Sequence, residues 1–123
     1  MLIVEDDPTQ ARAIKQCLVA AISGLVVTLA HTATEAFAAL GVTSTAALPN
    51  VAVIDCNLTD GFGWDVANRA PRSVQIILMS GHVDATMLSK LADGVKALWL
   101  RKPLDMDELI GLVRDRLDAS EVS

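Results

Sequence analysis

Four short apolar runs each lead into residues that could do chemistry. Glu5, Asp6 and Asp7 follow Leu2–Val4, Asp55 and Asn57 follow Val51–Ile54, Ser80 and Gly81 follow Val74–Met79, and Lys102 with Pro103 lies just beyond Ala97–Leu100. Glu5, Asp6 and Asp55 would meet on one rim if the first and third runs are neighbouring strands. Carboxylates that close repel, which raises at least one pKa or demands a cation. Mg²⁺ suits such a rim, because it takes one or two carboxylates, a carbonyl and several waters while leaving positions for phosphate oxygens. Lys102 adds a mobile positive charge and Ser80 a hydroxyl donor, so the set describes a pocket for a phosphoryl group. A carboxylate can attack phosphorus and form an acyl phosphate. Asp55, ionised at neutral pH, is the candidate nucleophile and needs no general base. The metal and Lys102 would neutralise the equatorial oxygens during an in-line transfer.

These residues need elements to hold them. The four runs, with Leu25–Leu29, are rich in Val, Ile and Leu and too short for typical helices, and they read as five buried strands. Between them the apolar spacing is helical: Ala11, Ile14, Leu18, Ala21 and Ile22 in one stretch, Met106, Leu109, Ile110, Val113 and Leu117 in another. Asp7-Pro8 offers an N-cap followed by proline at the first helical position, while Thr32 with Glu35 and Asp105 with Glu108 resemble capping boxes. Helices are therefore expected to start near residues 8, 33 and 106, with two weaker ones after Gly63 and Gly81. Strand then helix, repeated, is the pattern of an α/β fold with a parallel sheet covered on both faces. In such sheets ligands collect beyond the carboxyl ends of the strands, where the residues above lie.

The chain has 123 residues, 52% apolar and 3% aromatic, enough for one domain that folds without a metal or disulfide staple. A net charge of −5 argues against direct binding of nucleic acid or an anionic membrane. Cys17 and Cys56 share no ligand or disulfide spacing. No basic leader and no long uncharged apolar segment is seen, so a cytoplasmic location is expected. Residues 1–119 are read as the domain and 120–123 as a fraying tail. The chain opens almost inside its first strand, which suggests a trimmed terminus, and with no output domain read after the last helix it is expected to be either a stand-alone domain or a piece of a larger protein.

Four separated segments, LIVEDDP, VAVIDCN, ILMSG and LRKP, agree in order and spacing with the receiver domain of bacterial two-component response regulators, which the chain resembles over nearly its whole length. The resemblance implies a flavodoxin-like (βα)5 sandwich with sheet order 2-1-3-4-5. It implies that Glu5 and Asp6 hold Mg²⁺, or Mn²⁺ in its place, with the backbone carbonyl of Asn57 as a further ligand. Asp55 becomes the phosphoacceptor, Lys102 the phosphoryl contact, Ser80 the switch hydroxyl and Trp99 the switch aromatic, and the Lys102–Pro103 peptide is expected to be cis. A sensor histidine kinase or histidine phosphotransfer protein would supply the phosphoryl group. A downstream protein or missing output domain would read the switch, with a homodimer through the fourth and fifth helices as an option. Receivers assist their own phosphorylation and dephosphorylation without being enzymes in the usual sense. They commonly carry a proline four residues after the acceptor and an Asp-Gly pair soon afterwards; here those places hold Thr59 and Phe62-Gly63.

Other readings compete with these. Asp7 before Pro8 reads as a cap and not a ligand. Cys56 reads as a small apolar filler, since strand alternation turns it away from Asp55. His82, with Asn57, is expected to flank the acyl phosphate and tune its hydrolysis. Asp55-Cys56-Asn57-Leu58-Thr59 also resembles the DxDxT signature of haloacid-dehalogenase-like phosphatases, but the second acid is missing. A phosphate-independent interaction module is disfavoured by the complete acidic set, and a dinucleotide or flavin site by the lack of GxGxxG and the small number of aromatics.

Overall fold

The structure, a computed structural model, describes residues 1–41 and 48–122, with side chains described through Asp118. The strands are β1 (Leu2–Val4), β2 (Thr28–Ala30), β3 (Val51–Asp55), β6 (Gln75–Ser80) and β7 (Ala97–Arg101), and they form one parallel sheet in the order β2-β1-β3-β6-β7. The remaining two, β4 (Asn57–Leu58) and β5 (Gly61–Phe62), pair antiparallel as a small separate hairpin. Setting that hairpin aside, the sheet has the expected 2-1-3-4-5 order, and β1 and β3 are neighbours.

Alternation along the strands sorts the core into two layers. Leu2, Val4, Ala52, Ile54, Ile76 and Leu78 face α2 (Ala33–Ala39) and α3 (Gly63–Arg69), which contribute Ala33, Ala36, Val66 and Ala67. Ile3, Val51, Val53, Ile77, Met79 and Leu100 face α1 (Pro8–Ala21) and α5 (Met106–Val122), which contribute Ile14, Leu18, Leu109 and Val113. Every residue of β3 is buried, as expected for a central strand covered on both faces. The expected caps are present. Asp7 Oδ1 accepts from the Thr9 and Gln10 amides, Thr32 Oγ1 from the Glu35 amide, and Asp105 Oδ1 from the Asp107 and Glu108 amides. Glu35 returns its carboxylate to the His31 amide at 2.7 Å, one residue before the cap, which differs from a regular capping box.

Several boundaries differ from the sequence reading. β2 starts at Thr28, not Leu25, because its partner β1 is only three residues long and offers rungs to Thr28, Leu29 and Ala30 alone. Val26, in the stretch left unpaired, is 78% exposed. The helix after Gly81, α4, is a single turn (Ala85–Leu88) capped by Asp84, and none of its residues is fully buried. A turn without a buried face lacks the packing that extends most helices. α5 continues as helix through Val122, over most of the segment read as a tail; Ser123 and the side chains from Ala119 lie outside the described residues.

Candidate functional site

The carboxyl ends of β1 and β3 bring the acidic residues together. Glu5, Asp6 and Asp55 each present a carboxylate oxygen within 4.8 Å of the other two. Glu5 and Asp55 are almost fully buried, a costly position for two like charges without compensation. Lys102, just past β7, supplies part of that compensation. Its Nζ donates to Asp55 Oδ2 at 2.7 Å and reaches Glu5 Oε2 at 3.4 Å. The peptide bond between Lys102 and Pro103 is cis. The Asn57 amide donates to Asp55 Oδ1 at 3.0 Å, so both oxygens of Asp55 are engaged.

The electrostatics record the crowding. Burial, then the hydrogen bond and charge of Asp55, push the Glu5 carboxyl up from 4.5 to about 7, against the opposing pull of Lys102. Burial draws the Lys102 ammonium down, but the hydrogen bond and charge of Asp55, followed by those of Glu5, outweigh it and raise its pKa. One ammonium therefore balances two buried acids incompletely. Three hard oxygen donors with an unmet negative charge fit a small divalent cation, and Glu5, Asp6 and Asp55 are the residues that could hold it.

The remaining candidates stand around this core. Ser80 ends β6 and is buried, yet its Oγ is turned into its own loop, donating to His82 O at 2.6 Å and accepting from the His82 amide at 3.2 Å. The His82 ring is 77% exposed and sits 3.0 Å from Asp84 Oδ2, the cap of α4, so its contact is with that cap and not with the acidic cluster. Trp99, half-buried on β7, packs on the same layer as Met87, Leu91 and Val95 from the α4 region. Cys56 is fully buried in that layer, and burial followed by the charge of Asp55 pushes its thiol up to about 11, which keeps it protonated and inert.

Between β3 and α3, the sequence named Thr59 and Gly63 only as departures from the family pattern and left Asp60 unread. A Cβ built on Gly63 would lie 2.3 Å from the Asp55 carbonyl oxygen and 2.9 Å from Cys56 Cα, so only glycine lets α3 begin directly on the Asp55 backbone. The Gly63 amide donates to Cys56 O at 2.9 Å at this contact. Thr59, at the hairpin tip, donates to Asp6 Oδ2 at 3.3 Å. Asp60, beside it, accepts from the Ala33 and Thr34 amides at 2.7 and 3.1 Å and from Thr34 Oγ1 at 2.8 Å, which fastens the loop to the start of α2. A glycine opening a helix without a side-chain cap was the one available signal for Gly63; the partners of Thr59 and Asp60 lie too far away in sequence to leave any.

The family pattern described as a response regulator receiver domain matches residues 1–114. Among solved structures, the chain is similar to a CheY-like response regulator receiver domain protein from Methanospirillum hungatei, with 27% identity, 98% of this chain and 94% of that one covered, and a TM-score of 0.79. A response regulator receiver protein from Sinorhizobium medicae is 26% identical, with coverage of 97% and 94% and a TM-score of 0.80. The signal receiver domain of an HD domain-containing protein from Pseudomonas fluorescens shares the fold at 20% identity, with coverage of 99% and 96% and a TM-score of 0.82. No curated protein matches. With its sheet order, its acidic pocket and a family match over nearly the full length, the chain belongs to the receiver domains of two-component response regulators.

Proposed function

We propose that Asp55 accepts a phosphoryl group and that the domain, residues 1–119, works as a phosphorylation-controlled switch. The observation that carries this reading is a nearly buried carboxylate held at 2.7 Å by an ammonium, with two further acids within 4.8 Å. An Asp55 oxygen attacks phosphorus, a P–O bond forms, the P–N bond of a donor phosphohistidine breaks, and its electron pair leaves with the donor imidazole. The donor is a histidine kinase or a histidine phosphotransfer protein. Lys102 stays within reach of the transferred group and offsets its charge. Mg²⁺, or Mn²⁺, held by Glu5, Asp6, Asp55 and the Asn57 carbonyl, would supply further charge neutralisation at the phosphoryl oxygens.

Ser80 is the relay. Its hydroxyl exchanges the His82 carbonyl for a phosphoryl oxygen, and the vacated space lets Trp99 and the α4 region repack between two states. A downstream protein, an output domain or a second copy through α4 and α5 reads the change. Asn57, together with His82 once its ring leaves Asp84 as Ser80 turns, sets how readily water reaches the acyl phosphate, which makes the domain a participant in its own dephosphorylation but not an enzyme with a separate substrate. Among the described residues no helix is long and apolar enough to cross a membrane, which agrees with action in the cytoplasm.

Incubation with acetyl phosphate and Mg²⁺, followed by intact mass, tests the chemistry. One added phosphoryl group is expected, lost in Asp55→Asn and on omission of the metal. An adduct that survives Asp55→Asn overturns the reading. In a Trp64→Phe background, phosphorylation is expected to change Trp99 fluorescence, and a silent Trp99 removes it from the switch.

A further inference from the structure

The amino ends of β6 and β7, at the opposite edge of the sheet from Asp55, border a cavity of about 540 Å³ that the phosphoryl chemistry does not use. Its charged lining is cationic, beside the neutral polar Ser73 and Gln75. Arg72 enters from the loop before β6, Lys96 from the loop before β7, and Arg116 from α5. Three of the chain's ten Lys and Arg thus line one cavity in a protein of net charge −5, and none of the lining residues is acidic. Ile76, Val95 and Leu98 supply an apolar wall.

Arg116 is the least exposed of the three cations. Its Nε is shielded from solvent and is the one buried side-chain donor or acceptor without a hydrogen-bond partner among the described residues. Native structures rarely leave such a donor unpaired, because its desolvation is uncompensated. The Gln75 side chain donates through Nε2 to the Arg116 carbonyl at 3.5 Å, holding this turn of α5 over the start of β6. A guanidinium fork meets phosphate oxygens in bidentate fashion, and two further cations match a group carrying more than one negative charge. The volume falls within the range of about 300–1,000 Å³ of small-molecule sites, larger than inorganic phosphate needs.

We propose that this cavity binds a phosphorylated small molecule of nucleotide size, its phosphate on Arg116, Arg72 and Lys96 and its organic body on the apolar wall. The proposal is independent of phosphorylation at Asp55. AMP serves as the probe, with adenosine and inorganic phosphate as its two halves, in amide NMR titrations without added metal. AMP is expected to shift residues 72–76 and 94–98, and to bind about tenfold or more tightly than either half. Arg116→Gln and, separately, the loop variant Arg72→Gln are each expected to weaken AMP by about tenfold, with Arg116→Lys between parent and Gln, because the charge remains and the fork is lost. Arg12→Gln and Asp55→Asn are expected to bind as the parent does. Absence of AMP binding at millimolar concentration, shifts confined to the acidic rim, or full binding by folded Arg116→Gln and Arg72→Gln would each overturn the site. Inorganic phosphate binding as tightly as AMP would overturn the organic ligand.

Discussion

Asp55, at the end of β3, and Asp60, five residues on in the hairpin turn, live under opposite conditions. Asp60 lies in solvent at the hairpin tip, where the Ala33 amide, then the Thr34 hydroxyl and amide, hold its carboxyl below the usual range. Asp55 is buried beside Glu5, and the pair's repulsion together with burial drives Glu5 up to about 7. Asp60 stands alone among three donors, whereas Asp55 and Glu5 share one ammonium. These donors make Asp60 an anchor that fixes the loop, whereas the crowded acids leave the Asp55 pocket with an unmet negative charge that could hold a cation. Residue type alone does not separate these fates; the count of donors and the access of water do.

The largest effect expected is on the contact of α3 with the Asp55 backbone. Gly63→Ala places a methyl 2.3 Å from the Asp55 carbonyl oxygen, which is backbone and cannot swing away. A loss of about 3 kcal/mol is expected in urea unfolding. A loss under about 1 kcal/mol would show that the loop yields and that the acceptor is not held rigidly.

Glu5→Gln comes next. Between pH 4.5 and about 7 the folded protein retains a proton on Glu5 that the unfolded chain releases, so without metal this group makes stability fall as pH rises through that window. Glu5→Gln is therefore expected to be more stable than the parent at pH 8, on the order of 1 kcal/mol, and equal to it at pH 4. The same substitution should weaken Mg²⁺ binding. A parent whose stability stays level from pH 4.5 to 7 would mean that Lys102 already balances both acids.

Asp60→Asn is the smallest and has the opposite sign. Its lowered pKa contributes stability that is present above the ordinary carboxylate range near pH ~3.9 and is lost as pH falls through the lowered value. A small drop in Tm, constant between pH 5 and 8, is expected. With it, Thr59 should loosen from Asp6 and Mg²⁺ affinity should decline modestly. An unchanged Mg²⁺ affinity would separate the anchor from the site.

The acidic rim was legible in the sequence because each of its members directly follows an apolar run. Glu5, Asp55 and Lys102 could be placed at strand ends by periodicity, and parallel strands bring their carboxyl ends to one edge. The caps at Asp7, Thr32 and Asp105 were legible for a similar reason, since a cap and its amides lie within three residues. The hairpin at 57–62, the Asp60 anchor and the one-turn α4 were not, because each depends on a distant partner or on the lack of one. Ser80 could be placed at its strand end, but the direction of its hydroxyl toward His82 could not.

Local pattern, by itself, determined the five strands, the helix starts and the chemical types that crown the sheet, because hydrophobic period and capping act over a few residues. Tertiary structure alone decided which charges go short of partners. The raised carboxyl of Glu5 depends on the closeness of Asp55, fifty positions later, and the unpaired Nε of Arg116 on its burial beside loops at residues 72 and 96. Burial and charge spacing are sums over neighbours in space, and the order of residues along a chain does not contain them.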